Sequence, residues 1–164
     1  MARRLARRWS VVEVADLARL HGAARRLPRG LEVDLVRLRR ALRGRRALAG
    51  VDLVVGHLAH LLPVREAIVL RCHPRELERR LRRAHRGRRS DRRANLVSEA
   101  VDLVLVEAAE RGLRVYEIDT TGRTVADVAG EVDQRLRRGG RSRQGLVDWL
   151  GDPAVTAHLL DEAG

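Results

Sequence analysis

Four stretches of this sequence carry residue types able to do chemistry: Gly56-His57 with His60, Cys72-His73, Thr120-Thr121-Gly122, and the arginine-dense run holding Arg83, Arg86, Arg88 and Arg89. Imidazole and hydroxyl groups can contact phosphate or metal-bound water, a thiol grouped with imidazoles can hold zinc, and guanidinium groups neutralise phosphoryl charge. The first three stretches share a layout, because each follows an apolar run: Val51 to Val55, Ala67 to Arg71, and Val115 to Asp119. Such near-continuous runs suit parallel strands covered on both faces, and ligands in open α/β sheets gather beyond the carboxyl ends of those strands. The spacing therefore predicts three strands that deliver polar residues to one edge. His57 sits where that rule points. It reads either as a ligand contact or as a turn-capping imidazole, and His57, His60, Cys72 and His73 read either as a zinc set or as residues with no metal role.

The elements that must position these residues follow from periodicity. Leu5, Ala6 and Trp9 mark a helix over 2–9, Ser10 to Val14 a short strand, and Ala15 to His21 a helix closed by Gly22. Gly22 to Gly30 reads as an Arg-rich loop interrupted by proline, and Glu32 to Leu42 as an amphipathic helix. Pro74 opens a helix to about His85, and Arg86 to Arg93 is a basic loop. Leu96 to Arg111 forms a long helix with Val97, Ala100, Val101, Val104, Leu105 and Ala108 on its inner face, closed by Gly112. Val125 to Leu136 is another helix, followed by an Arg-rich connection to Leu146-Val147-Asp148-Trp149-Leu150 and a tail over 151–164. Alternation of strands and helices predicts an α/β fold with a mainly parallel sheet, in one domain over 1–150. No internal repeat is visible.

Composition sets outer bounds. The 164 residues suffice for one sizeable core. A formal charge of +12 favours anionic partners such as nucleotide, RNA or an acidic protein. All 34 basic residues are arginine, with lysine and phenylalanine absent, so coding bias competes with selection for binding as the origin of that charge. A single cysteine excludes an internal disulfide and suits a reducing, cytoplasmic location. No segment reaches the apolar length of a membrane span, so no membrane partner is expected.

Five stretches taken in order carry a resemblance: Gly56-His57-Leu58-Ala59-His60-Leu61-Leu62-Pro63; Ile68-Val69-Leu70-Arg71-Cys72; Asn95 with Ser98-Glu99-Ala100-Val101-Asp102; Val115 to Gly122; and Val147-Asp148-Trp149-Leu150. Together they resemble the archaeal branch of the adenylate kinase isoenzyme 6 type, a P-loop nucleoside monophosphate kinase also tied to small ribosomal subunit assembly. The resemblance implies a three-layer P-loop fold, ATP and AMP as partners, transfer of the γ-phosphoryl group to give two ADP, ATP hydrolysis, and Mg²⁺ with ATP as cofactor. It further implies a small-subunit ribosomal protein and pre-rRNA as macromolecular partners.

Carried onto this chain, the resemblance gives His57 the role of a phosphate or Mg²⁺-water contact. Arg86, and after it Arg83, become the arginines of a lid segment over about 83–94 that closes on ATP. Thr120, Thr121 and Gly122 become the turn bordering the ATP base, and Asp16 an acid on the AMP side. Asn95, Glu99 and Asp102 are expected to orient the lid helix. No metal ligand set is expected from the protein itself.

The chain departs from the pattern in three places. The Gly-rich phosphate loop with its lysine is absent, and Ala2 to Arg8 resembles the helix that follows it, so the first strand and loop are expected to be missing. Val55 stands where the family often has an acid, with Asp52 inside the strand, and Gly22 to Gly30 is short and poorly acidic for an AMP-side segment. Losing about five buried apolar residues at ~1.5–3 kcal/mol each would remove ~7–15 kcal/mol, comparable with a whole domain's stability. Marginal stability is therefore expected. A non-catalytic, P-loop-less assembly factor binding RNA or protein is the alternative function.

Overall fold

The structure, a computed structural model, describes residues 1–28, 30–44, 47–84 and 89–161. Strands and helices alternate as expected for an α/β protein, and they fall into two compact units, residues 1–67 and 68–164.

In the first unit, α1 (Ala2–Leu5) leads through a turn to β1 (Val11–Glu13), which runs straight into α2 (Val14–Leu20). β1 pairs in parallel with β4 (Leu53–Val55), Val12 lying opposite Val54 and Glu13 opposite Val55. The parallel pairing expected of the Val51 to Val55 run is thus present. Its core gathers Val14, Leu17, Ala18, Ala23, Leu38, Leu42 and Leu62. α3 (Leu35–Ala41) contributes Leu38, and Asp34 caps it by accepting from the Arg37 backbone N–H at 2.9 Å.

Two sequence expectations need correction in this unit. Gly22 to Gly30 is no plain loop: β2 (Ala24–Leu27) and β3 (Gly30–Val33) form an antiparallel hairpin. The helix expected from Glu32 accordingly starts at Leu35, because Leu31 to Val33 are committed to the strand. Arg25 and Glu32 face each other in register and pair at 2.8 Å, a cross-strand contact that periodicity in so polar a segment does not reveal.

In the second unit, β5 (Glu66–Arg71, its first two residues belonging to the preceding unit) pairs with β6 (Arg114–Asp119). Pro74 opens α4 (Pro74–Arg83) at the position where its missing N–H costs nothing. The long helix expected over Leu96 to Arg111 is two helices, α5 (Arg89–Ala100) and α6 (Leu103–Glu110). Asp102 breaks it with a left-handed backbone (φ 56°), a conformation aspartate tolerates better than most residues. Leu96, Ala100, Leu105 and Ala108 are buried, while Val97 and Val101, expected inside, are exposed. Residues 89–93 of the expected basic loop belong to α5. α7 (Val125–Arg138) opens with a capping box between Thr124 and Asp127. The expected tail contains a further helix, α8 (Pro153–Asp161), anchored by the fully buried Val155.

Candidate functional site

The site begins with three residues that turn the chain at the end of β6. Thr120, Thr121 and Gly122 form a tight turn closed by Arg123 N–H donating to the Thr120 carbonyl at 3.2 Å. Gly122 has φ 67°, the left-handed value that a type II turn requires at its third residue. Every backbone N–H here has a protein acceptor. Thr120 N–H donates to the Arg71 carbonyl (2.8 Å), Thr121 N–H to Asp119 Oδ1 (2.9 Å), and Gly122 N–H to Glu76 Oε2 (3.1 Å). The turn therefore offers carbonyl oxygens and a surface rather than a nest of donors. It can border a ligand's ring, and it is not built to cradle a phosphate.

α4 clamps this turn, a feature that spacing did not reveal. Arg80 donates Nη1 to Thr120 Oγ1 (3.1 Å) and Nη2 to the Thr120 carbonyl (2.8 Å), while Glu76 pairs with Arg80 and takes the Gly122 N–H. Partial burial pushes the Glu76 carboxyl up, but the Gly122 N–H and the Arg80 guanidinium outweigh it and hold its pKa below the ordinary value. His73, at the foot of α4, donates its backbone N–H to Thr121 Oγ1 at 2.9 Å.

Below the turn lies a buried ion cluster whose central arginine sequence reasoning missed. Arg71 ends β5 with a side chain 2% exposed, and it pairs with Glu99 (2.8 Å), Glu117 (2.6 Å) and Asp102. Burial lowers the Arg71 pKa, but Glu99 and Asp102 more than compensate and leave it raised, so the guanidinium stays charged. Trp149 Nε1 donates to Glu99 Oε1 (3.1 Å), and Leu146 N–H to Glu117 Oε2 (2.8 Å). Three of the five stretches singled out in the sequence thus meet at one arginine, and Trp149 of a fourth joins them through Glu99. The neighbouring Cys72 thiol is buried, and desolvation raises its pKa, which keeps it unreactive.

Of the remaining expected residues, His57, His60 and Asp16 belong to the first unit. Gly56 follows β4 with φ 141°, and a Cβ there would sit 3.2 Å from Val14 Cγ2, so only glycine lets the chain turn against α2. That turn presents His57 exposed at the carboxyl end of β4, where the strand rule places it, while His60 is buried in the turn Ala59–Leu61. Asp16, in the first turn of α2, is exposed and pairs with Arg19 at 2.6 Å. Arg83 is the exposed last residue of α4, and Arg86 lies outside the described residues. Tyr116 has Arg135 and Arg143 guanidinium carbons 5.0 and 5.7 Å from its ring centre, so that ring is already engaged by cations.

Mg²⁺ arriving with ATP would be held chiefly by phosphates and water, and would ask the protein for one or two carboxylates at most. Asp52, the acid nearest Val55, accepts from Ser10 N–H at 2.8 Å at the amino end of β4, opposite the end that carries His57. The acid found at the carboxyl end is Glu13, in register with Val55, which the sequence pattern hid because Val14 already begins a helix. No lysine is present in the chain, and among the described residues no group of three or more His, Cys, Asp or Glu side chains is placed to hold a metal ion. No helix among the described residues is long and apolar enough to cross a membrane.

Comparison with known proteins gives a consistent set. A protein of Thermococcus onnurineus named "Putative adenylate kinase" is 38% identical over 143 residues, covering 86% of this chain and 77% of its own. The protein of the same name from Archaeoglobus fulgidus is 37% identical over 161 residues, 93% of this chain and 85% of its own. That from Pyrococcus abyssi is 34% identical over 143 residues, 86% and 77% of the two chains. No family model matches the sequence.

Proposed function

The chain belongs to the adenylate kinase-like family that these archaeal proteins represent, and from that premise we propose that it is a nucleoside monophosphate kinase-type protein acting on ATP and AMP to give two ADP. The observation that carries this reading is the similarity itself, which spans 93% of the chain against the Archaeoglobus protein. In this reading Thr120, Thr121 and Gly122 border the base of ATP, Arg83 and Arg86 meet its phosphates, His57 contacts phosphate at the end of β4, and Asp16 lies on the AMP side. ATP hydrolysis accompanies transfer when water replaces AMP as acceptor. Phosphoryl transfer rests on positioning and charge neutralisation, which is the work arginines can do here. A cytoplasmic location goes with this function.

The second reading is a non-catalytic factor of small ribosomal subunit assembly that binds a ribosomal protein or pre-rRNA. What favours it is specific: the turn's N–H groups and the Asp52 carboxylate are already committed. One experiment separates the two. The purified chain is incubated with Mg²⁺, ATP and AMP and followed by phosphorus NMR, alongside titration with single-stranded RNA at rising salt. ADP appearing in AMP-dependent fashion supports the kinase, and its loss in His57→Ala and Arg86→Ala variants supports their roles. ATP binding without ADP, together with RNA affinity that falls steeply with salt, supports the assembly factor.

A further inference from the structure

Arg71 is the point where two networks meet. Its carbonyl oxygen accepts from Thr120 N–H (2.8 Å) and from Thr120 Oγ1 (2.7 Å), and so sets the first residue of the turn. Its guanidinium donates Nε to Glu99 Oε1 (2.8 Å), Nη1 to Glu117 Oε1 (2.6 Å), and Nη2 to the Glu99 carbonyl (3.0 Å) and the Asp102 carboxylate. A planar guanidinium held from three directions has little room to rotate. Three carboxylates also exceed what one cation needs for neutrality, and one of them, Asp102, holds a left-handed backbone at the α5–α6 junction. An element required only to fill space would be served better by an apolar side chain of similar volume.

We propose that Arg71 is a positioning residue: the grip of Glu99, Asp102 and Glu117 on its side chain fixes how its main chain presents the Thr120–Gly122 turn to the base of the nucleotide. A shift of the α5–α6 junction at Asp102 is thereby passed to the turn through a single residue. The identity of the ligand rests on the kinase-type reading above, whereas the coupling between Asp102 and the turn does not.

The test uses the full chain with Trp9→Phe, which leaves Trp149 as the sole indole, and compares Arg71→Lys and Asp102→Asn in that background. Three quantities are read: the amide resonances of Thr120, Thr121 and Gly122, the emission of Trp149, and the separate KM values for ATP and AMP. The expected result is displacement of the turn amides in both variants, with Trp149 emission shifting alongside. For Arg71→Lys, kcat/KM for ATP falls on the order of 10²-fold through a raised KM, while KM for AMP stays unchanged. Asp102→Asn acts in the same direction more mildly, and it carries the test if Arg71→Lys does not fold. Turn amides that stay in place while Trp149 emission shifts would overturn the proposal, as would equal rises in both KM values. Displaced amides in a chain that neither binds ATP nor turns it over would uphold the coupling and sink the kinase-type reading alone.

Discussion

At the scale of single residues, two side groups set testable limits on the turn and the β4 edge. Glu76 has a folded-state pKa below its ordinary value, so its clamp contributes stability above the ordinary glutamate pKa of about 4.3, and loses it as pH falls through the lower folded value. Denaturant titrations of the wild type and Glu76→Gln are therefore expected to differ at pH 7 and to converge in strong acid. A constant difference across that range would mean that the carboxylate's charge is irrelevant to the clamp. Gly56→Ala is expected to cost about 1–3 kcal/mol, because alanine must occupy a backbone region nearly reserved for glycine and press its Cβ on Val14. A chemical melt checks it, and an unchanged midpoint would mean that the turn before His57 relaxes freely.

At the scale of elements, the Thr124–Asp127 capping box holds the start of α7 directly after the turn. Thr124→Ala is expected to lower stability by about 1 kcal/mol, read from the denaturation midpoint at unchanged slope. The elements also show what could be read from sequence and what could not. The strand ends before Gly56, Cys72 and Thr120 were legible because apolar runs ending in glycine, proline or hydroxyl residues leave few other solutions. The β2–β3 hairpin was not, since its strands are largely exposed and arginine-rich and show no buried alternation. The split of α5 from α6 was hidden because Asp102, where the helix breaks, pairs with Arg71, 31 residues away. Arg71 itself was indistinguishable by type from the other arginines, and its partners Glu99 and Glu117 lie 28 and 46 residues distant.

At the scale of the whole molecule, the described strands pair as two-stranded sheets, β1 with β4 and β2 with β3 in the first unit, and β5 with β6. Two-stranded sheets are marginal without further cover, and open edges invite pairing with other chains. A broad melt centred below about 50 °C is expected by circular dichroism, with association rising at higher protein concentration. A sharp transition well above that temperature would contradict it. The buried thiol offers a way to time such loosening. Cys72 is the chain's one cysteine, its backbone N–H donates to the same Glu99 oxygen that Arg71 holds (3.1 Å), and it is 6% exposed. A thiol-specific reagent can reach it only while its surroundings, which include Arg80 of α4 and Thr120 of the turn, have opened, so labelling is governed by excursions rather than by the resting structure. Divided by the rate for the denatured chain, the labelling rate of the native protein becomes a stopwatch for the packing around the end of β5, reporting the fraction of time it spends open.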